Sequence, residues 1–152
     1  MTHKKRPDQV LIGKTLPSST VNISEDAILR HCRSTSTTGL IHTDYEAART
    51  AGYRGLVVPA AMYTQLLREQ VTHLRRTFNG AGLGAGISVE VLEPSCAGDA
   101  LQATTYLKDM YTKTGRSGMM VFVVWETTMT NQEGVKVAAI QESFVNRNRT
   151  RG

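Results

Sequence analysis

The sequence predicts a single α+β domain in which an antiparallel sheet wraps one long central helix. Three observations carry that expectation. Apolar residues recur at helical spacing after Pro59, at Tyr63, Leu66, Leu67, Val71, Leu74 and Phe78. From residue 87 onward, four segments alternate or run apolar as strands do. Short glycine-containing turns join the last three. Such a sheet buries one face only by closing over the helix. The 152 residues, 40% of them apolar, suffice for one domain over 1–152 with a core that needs no cross-links.

Taken in order, residues 8–23 hold a short apolar segment, a Pro-Ser-Ser turn and the strand-like "TVNI". Ser24 is an N-cap for a helix over 25–33, with Glu25 and Asp26 where the helix dipole favours acids. "STSTTG" (34–39) reads as a polar loop. Asp44 caps "YEAARTA", and Gly52 ends it in a left-handed turn. Pro59 opens the central helix, which runs to about Phe78 with His73 off its apolar stripe, facing solvent. "NGAGLGAG" (79–86) fails the G-x-G-x-x-G phosphate pattern and follows a helix, so it reads as a flexible connector. The strands are expected over 87–93, 100–113, 119–131 and 135–145, with "NQEG" as a hairpin loop.

Composition narrows the function classes. The net charge of +5 lies in the tails, about 1–7 and 146–152: Lys4, Lys5, Arg6, Arg147, Arg149 and Arg151. Without them, 12 basic residues face 13 acidic ones, and the body has no basic face for nucleic acid. Aromatics at 6% offer few stacking platforms. No apolar run reaches the ~20 residues that span a bilayer, and no signal core follows the basic N-terminus. Cys32 and Cys96 make neither a disulfide framework nor a metal spacing, so they read as reduced thiols of a cytoplasmic protein. Nothing calls for a metal or cofactor.

"HTDYEAARTAGYRGLVVPAAM" (42–62) and "GDALQATTYLKDMYTKTGRSGMMVFVVWETTMTNQEG" (98–134) resemble the MaoC-like dehydratase and hydratase family. The likeness is greatest to N-terminal-type domains of actinobacterial fatty-acid dehydratases and extends from about Gly13 to Val145. It implies the hotdog fold, an acyl-thioester substrate bound to coenzyme A or a carrier protein, and a site built on D-x-N-P-x-H. Aligned on His42, the aspartate position holds Thr37, the asparagine position Gly39 and the proline position Leu40. Only the histidine remains.

Dehydrating a 3-hydroxyacyl thioester needs a base beside the carbonyl, an acid for the departing hydroxyl, and donors for the enolate-like oxygen. Histidine suits the first or second task, because its ordinary pKa lies near neutrality. His42 is therefore the catalytic candidate, with lining the pocket as its plainer role. The free amides expected at Ala60 and Ala61, after Pro59, are candidate oxyanion donors. Thr37, Gly39, Met62, Tyr63 and His31 complete the expected substrate site, bounded by the 37–42 loop and the start of the central helix. His31 and Asp44 are the possible partners of His42, although Asp44 also serves as a cap. Met119, Met120 and Trp125 are equally at home lining an acyl tunnel or filling the core.

Three functions stay open. The first is an enzyme that closes a ring on a polyketide or long acyl chain, by cycloaddition or conjugate addition. The second is a dehydratase or enoyl hydratase with a rearranged pair of catalytic groups. The third is a non-catalytic subunit holding the acyl tail for a hotdog partner. A bare sheet edge implies a dimer, either a homodimer or a hotdog heterodimer.

Overall fold

The computed structural model describes residues 12–13, 15–68 and 83–147. Period-two alternation builds its sheet. Strands β1 (Ser19–Asn22), β2 (Leu83–Val91), β3 (Ala100–Gly115), β4 (Gly118–Thr130) and β5 (Lys136–Arg147) lie in the order β1-β3-β4-β5-β2. Every neighbouring pair is antiparallel. On β3 the alternation Leu101, Ala103, Thr105, Leu107 points inward, and all four are buried. The register sets Ala103 opposite Met129, Thr105 opposite Thr127 and Leu107 opposite Trp125. The one polar pair in that row is satisfied, its hydroxyls 2.7 Å apart.

Helix α1 (Glu25–Thr35) starts as its cap predicts: Ser24 Oγ accepts the Ala27 N–H at 3.1 Å. Helix α3 (Tyr45–Thr50) does likewise, with Asp44 Oδ1 accepting from Ala47 N at 2.8 Å. Gly52 follows with φ +95°, the left-handed conformation glycine adopts freely. Residues 62–68 form a further helix, α4. Its Met62, Tyr63, Leu66 and Leu67 join Ile28 and Cys32 of α1 and Leu101, Met129 and Ile140 of the sheet in one core. Each large side chain so buried contributes roughly 1.5–3 kcal/mol.

Four expectations need correction. Ser34 and Thr35 are helical instead of loop: the helix closes only at Ser36, whose φ of 54° is left-handed and whose N–H reaches the Cys32 carbonyl. Leu40–Thr43 makes a one-turn helix, α2, in what read as plain connection. The central helix begins at residue 62 and not at Pro59, whose carbonyl accepts from Met62 N across a turn. Leu83–Gly86 is strand and not connector: β5 pairs with it through Val145 and Phe144, and a bulge between Gly84 and Gly86 absorbs the glycines. The rest of the glycine-rich stretch, the helix stripe beyond residue 68, His73 and all of the tails but Asn146 and Arg147 lie outside the described residues.

Among the described residues β2 pairs only with β5, so its other side is an open edge. Leu83, Ile87, Val91 and the adjoining Leu92 are all exposed there.

Candidate functional site

His42 lies on α2, a single turn between α1 and α3. The Gly39 carbonyl holds that turn, accepting from His42 N at 3.0 Å and from the Thr43 hydroxyl at 3.1 Å. The ring leans back over Gly39. A Cβ on residue 39 would sit 3.1 Å from His42 Cδ2 and 3.8 Å from Nε2, so position 39 faces the ring closely and any side chain there would make the ring shift. With φ −58°, the backbone at Gly39 suits any residue; space, not conformation, is what glycine supplies here.

The decisive contact is His42 Nδ1 to the Val57 carbonyl, at 2.6 Å. A carbonyl only accepts, so Nδ1 carries the proton. In the neutral ring Nε2 is then a bare lone pair. It has no hydrogen-bond partner among the described residues. The arrangement makes a proton acceptor, and Nε2 donates only once it has taken up a proton.

Thr37 is turned elsewhere. Thr35 spends its hydroxyl proton on the His31 carbonyl, so the Thr37 hydroxyl donates to Thr35 Oγ1 at 2.8 Å. Asp44 is occupied as the cap of α3. His31 is 6% exposed, and its Nδ1 lies 3.0 Å from Gln65 Oε1 on α4. An amide oxygen accepts, so Nδ1 is the donor and Nε2 the lone pair, which is buried and unpartnered among the described residues. An orphaned buried acceptor costs about 1–3 kcal/mol, and a ligand donor would relieve it. Cys32, next along α1, points Sγ at the His42 carbonyl from 3.8 Å, and burial pushes its thiol up from the ordinary range.

Ahead of α4, Pro59 is buried while Ala60 and Ala61 are exposed, and their amides have no hydrogen-bond partner among the described residues. Met62 and Tyr63, expected to line a pocket, are 1% and 0% exposed and belong to the core. The Tyr63 hydroxyl donates to Ser95 Oγ at 3.0 Å, and burial raises its pKa above the ordinary tyrosine value. Trp125 is buried on the inner sheet face, whereas Met119 and Met120 are half-buried on β4. No cluster of three or more metal-ligating side chains occurs among the described residues.

Sequence reasoning missed Val57, Gln65 and the 95–99 turn. The first acts through a backbone carbonyl, which no side-chain pattern reveals. Gln65 sits on the polar side of its helix and looks like any solvated glutamine.

The antiparallel sheet packed against α4 is that of the hotdog fold. A family model described as "FAS1-like, dehydratase domain region" matches residues 10–140, and the chain belongs to that family, among the MaoC-like hotdog dehydratases. No curated protein sequence matches it. Among solved structures it is similar to the HadBC (3R-hydroxyacyl-ACP dehydratase) complex from Mycobacterium tuberculosis. That match has 20% identity and a TM-score of 0.78, covering 90% of this chain and 97% of that one. A MaoC-like dehydratase from Rhodospirillum rubrum matches at 20% identity and TM-score 0.72, covering 94% and 97%. The ChsH1-ChsH2 complex, also from M. tuberculosis, matches at 14% identity and TM-score 0.71, covering 90% and 98%.

Proposed function

We propose that this protein binds a polyketide or long acyl chain, carried as a thioester, and closes a ring on it by conjugate addition. The observation behind this reading is the pose of His42: Nδ1–H is tied to the Val57 carbonyl, Nε2 is a free acceptor, and no acid stands at positions 37 or 39. One base suffices for such a reaction. Nε2 removes the proton of a carbon acid or hydroxyl within the substrate. The freed electron pair forms the ring bond to the β-carbon of an unsaturated carbonyl, and the Ala60 and Ala61 amides hold the enolate oxygen. The protonated Nε2 then returns its proton to the α-carbon. A cycloaddition, the other ring closure this pocket suits, asks only for shape and orientation.

The test uses simple substrates. Crotonyl and 3-hydroxybutyryl thioesters should turn over negligibly, because the missing acid is ordinarily worth ~10²–10⁴-fold in rate. The double substitution Thr37→Asp with Gly39→Asn should create some hydration of crotonyl thioester, provided the new position-37 side chain leaves Thr35 for His42 and the imidazole shifts to admit a Cβ at position 39. Ordinary enzymatic rates with the unsubstituted protein would instead favour a dehydratase with a rearranged pair, in which His31 or Asp44 partners His42.

A second reading has its own support. Two of the similar structures, HadBC and ChsH1-ChsH2, are two-component complexes, and among the described residues the β2 edge here is unpaired and apolar. On that reading the chain holds an acyl tail for a hotdog partner that does the chemistry. The favoured assembly is a homodimer across the β2 edge. Light scattering of the purified protein separates the two: a stable dimer supports the first, and a monomer that pairs only with a second hotdog chain supports the second. The setting is cytoplasmic, in keeping with two free cysteines and no helix among the described residues able to cross a membrane.

A further inference from the structure

The hydrogen bond that aims His42 depends on where residues 56–58 lie. Val57 turns both its backbone groups toward α2: its N–H donates to the Ile41 carbonyl at 2.9 Å, and its carbonyl accepts from His42 Nδ1 at 2.6 Å. Its neighbours face the other way, as alternation in an extended segment requires. Val58 N donates to the Ser95 carbonyl at 2.9 Å, and Ala97 N donates to the Leu56 carbonyl at 2.8 Å. The 95–99 turn is therefore the rail against which the Val57 carbonyl is set.

One side chain shapes that turn. Asp99 is 2% exposed, and three donors converge on its carboxylate. Oδ1 accepts from Arg54 Nη2 at 2.7 Å and from Gln132 Nε2 at 3.0 Å, and Oδ2 accepts from Cys96 N at 2.9 Å. The Asp99 N–H donates back to the Cys96 carbonyl at 3.1 Å, and Gly98 takes φ +95° to let the chain reverse. Only a carboxylate meets all three donors. An asparagine amide would set its own NH₂ against either the Arg54 guanidinium or the Cys96 N–H.

We infer that Asp99 is a positioning residue for His42, acting through the 95–97 and 56–58 backbones to hold the Val57 carbonyl where it fixes the proton on Nδ1. The inference rests on His42 being the chemical group of the site, but its test needs no substrate, so it stands or falls separately from the ring-closure reading.

The readout is the His42 tautomer in long-range ¹H–¹⁵N spectra, recorded at about pH 8.5, where an ordinary imidazole is neutral. The unsubstituted protein should show His42 protonated on Nδ1. In Asp99→Asn the ratio of the Nδ1–H to the Nε2–H form should fall by roughly fivefold or more, as expected when one hydrogen bond of ordinary strength is lost. Arg54→Met removes one donor from a half-exposed side chain and should shift the ratio the same way by less. Tyr63→Phe, which removes the hydroxyl bond to Ser95 without touching the carboxylate, should leave the ratio unchanged. If Asp99→Asn lowers the melting temperature while His42 stays Nδ1-protonated, Asp99 is only a structural brace and the inference fails. Should Asp99→Asn not fold, an unchanged tautomer in Arg54→Met overturns it equally.

Discussion

Two turns flank residues 56–58, and they are built in opposite ways. In the 95–99 turn Ser95, Cys96 and Asp99 are buried, and each has its polar or backbone groups paired. In the 37–42 turn the residues are partly or fully exposed, the His42 ring lies close against Gly39, and His42 keeps one nitrogen unpaired among the described residues. Completed pairing gives rigidity and no reactivity, while an open valence beside a rigid wall gives chemistry. The difference separates support from site better than residue type does. Asp99 is a buried carboxylate, the residue type expected of a catalytic acid, yet three donors occupy it.

Substitutions on the two sides should fail differently. The largest effect belongs to the supporting side. Tyr63→Ala empties a fully buried site and removes the Ser95 contact, so it should lower stability by about 3–5 kcal/mol in denaturant titration. A loss under about 1 kcal/mol would mean that the turn does not lean on α4.

His42→Ala tests the other side. It leaves the buried Val57 carbonyl without this partner and should lower stability by about 1–3 kcal/mol, less than Tyr63→Ala. Turnover of a cyclising substrate should fall on the order of 10–10²-fold, less than loss of a full acid–base pair. Equal turnover in the two proteins would reduce His42 to pocket wall.

The smallest effect tests a control far from both turns. Lys108 donates to Glu126 at 2.8 Å on the sheet, and that hydrogen bond holds the Glu126 carboxyl below its ordinary value of 4.5. A depressed folded pKa stabilises the fold above the ordinary value, and that contribution is lost as pH falls through the lower folded value. Glu126→Gln should therefore flatten the acid side of the stability curve slightly below pH 4.5, with no change in the His42 tautomer. A steep acid limb persisting in Glu126→Gln would assign it to other carboxylates.

Much of this molecule follows from local chemistry. Ser24 and Asp44 cap their helices because an oxygen at that position meets free N–H groups whatever surrounds it. Inward alternation of Leu101, Ala103, Thr105 and Leu107 is likewise legible, since a strand has only two faces. The sheet and the apolar start of the central helix were readable on those grounds, whereas the candidacy of His42 came from the resemblance to the MaoC-like motif. Tertiary structure decided the rest. Leu83–Gly86 became strand because β5 offered partners, against the propensity of its glycines. The proton on His42 was placed by a carbonyl fifteen residues away, itself set by a turn near residue 97. Backbone groups are the same in every residue, so no sequence pattern marks which of them will meet across the fold, and only the packed chain determines it.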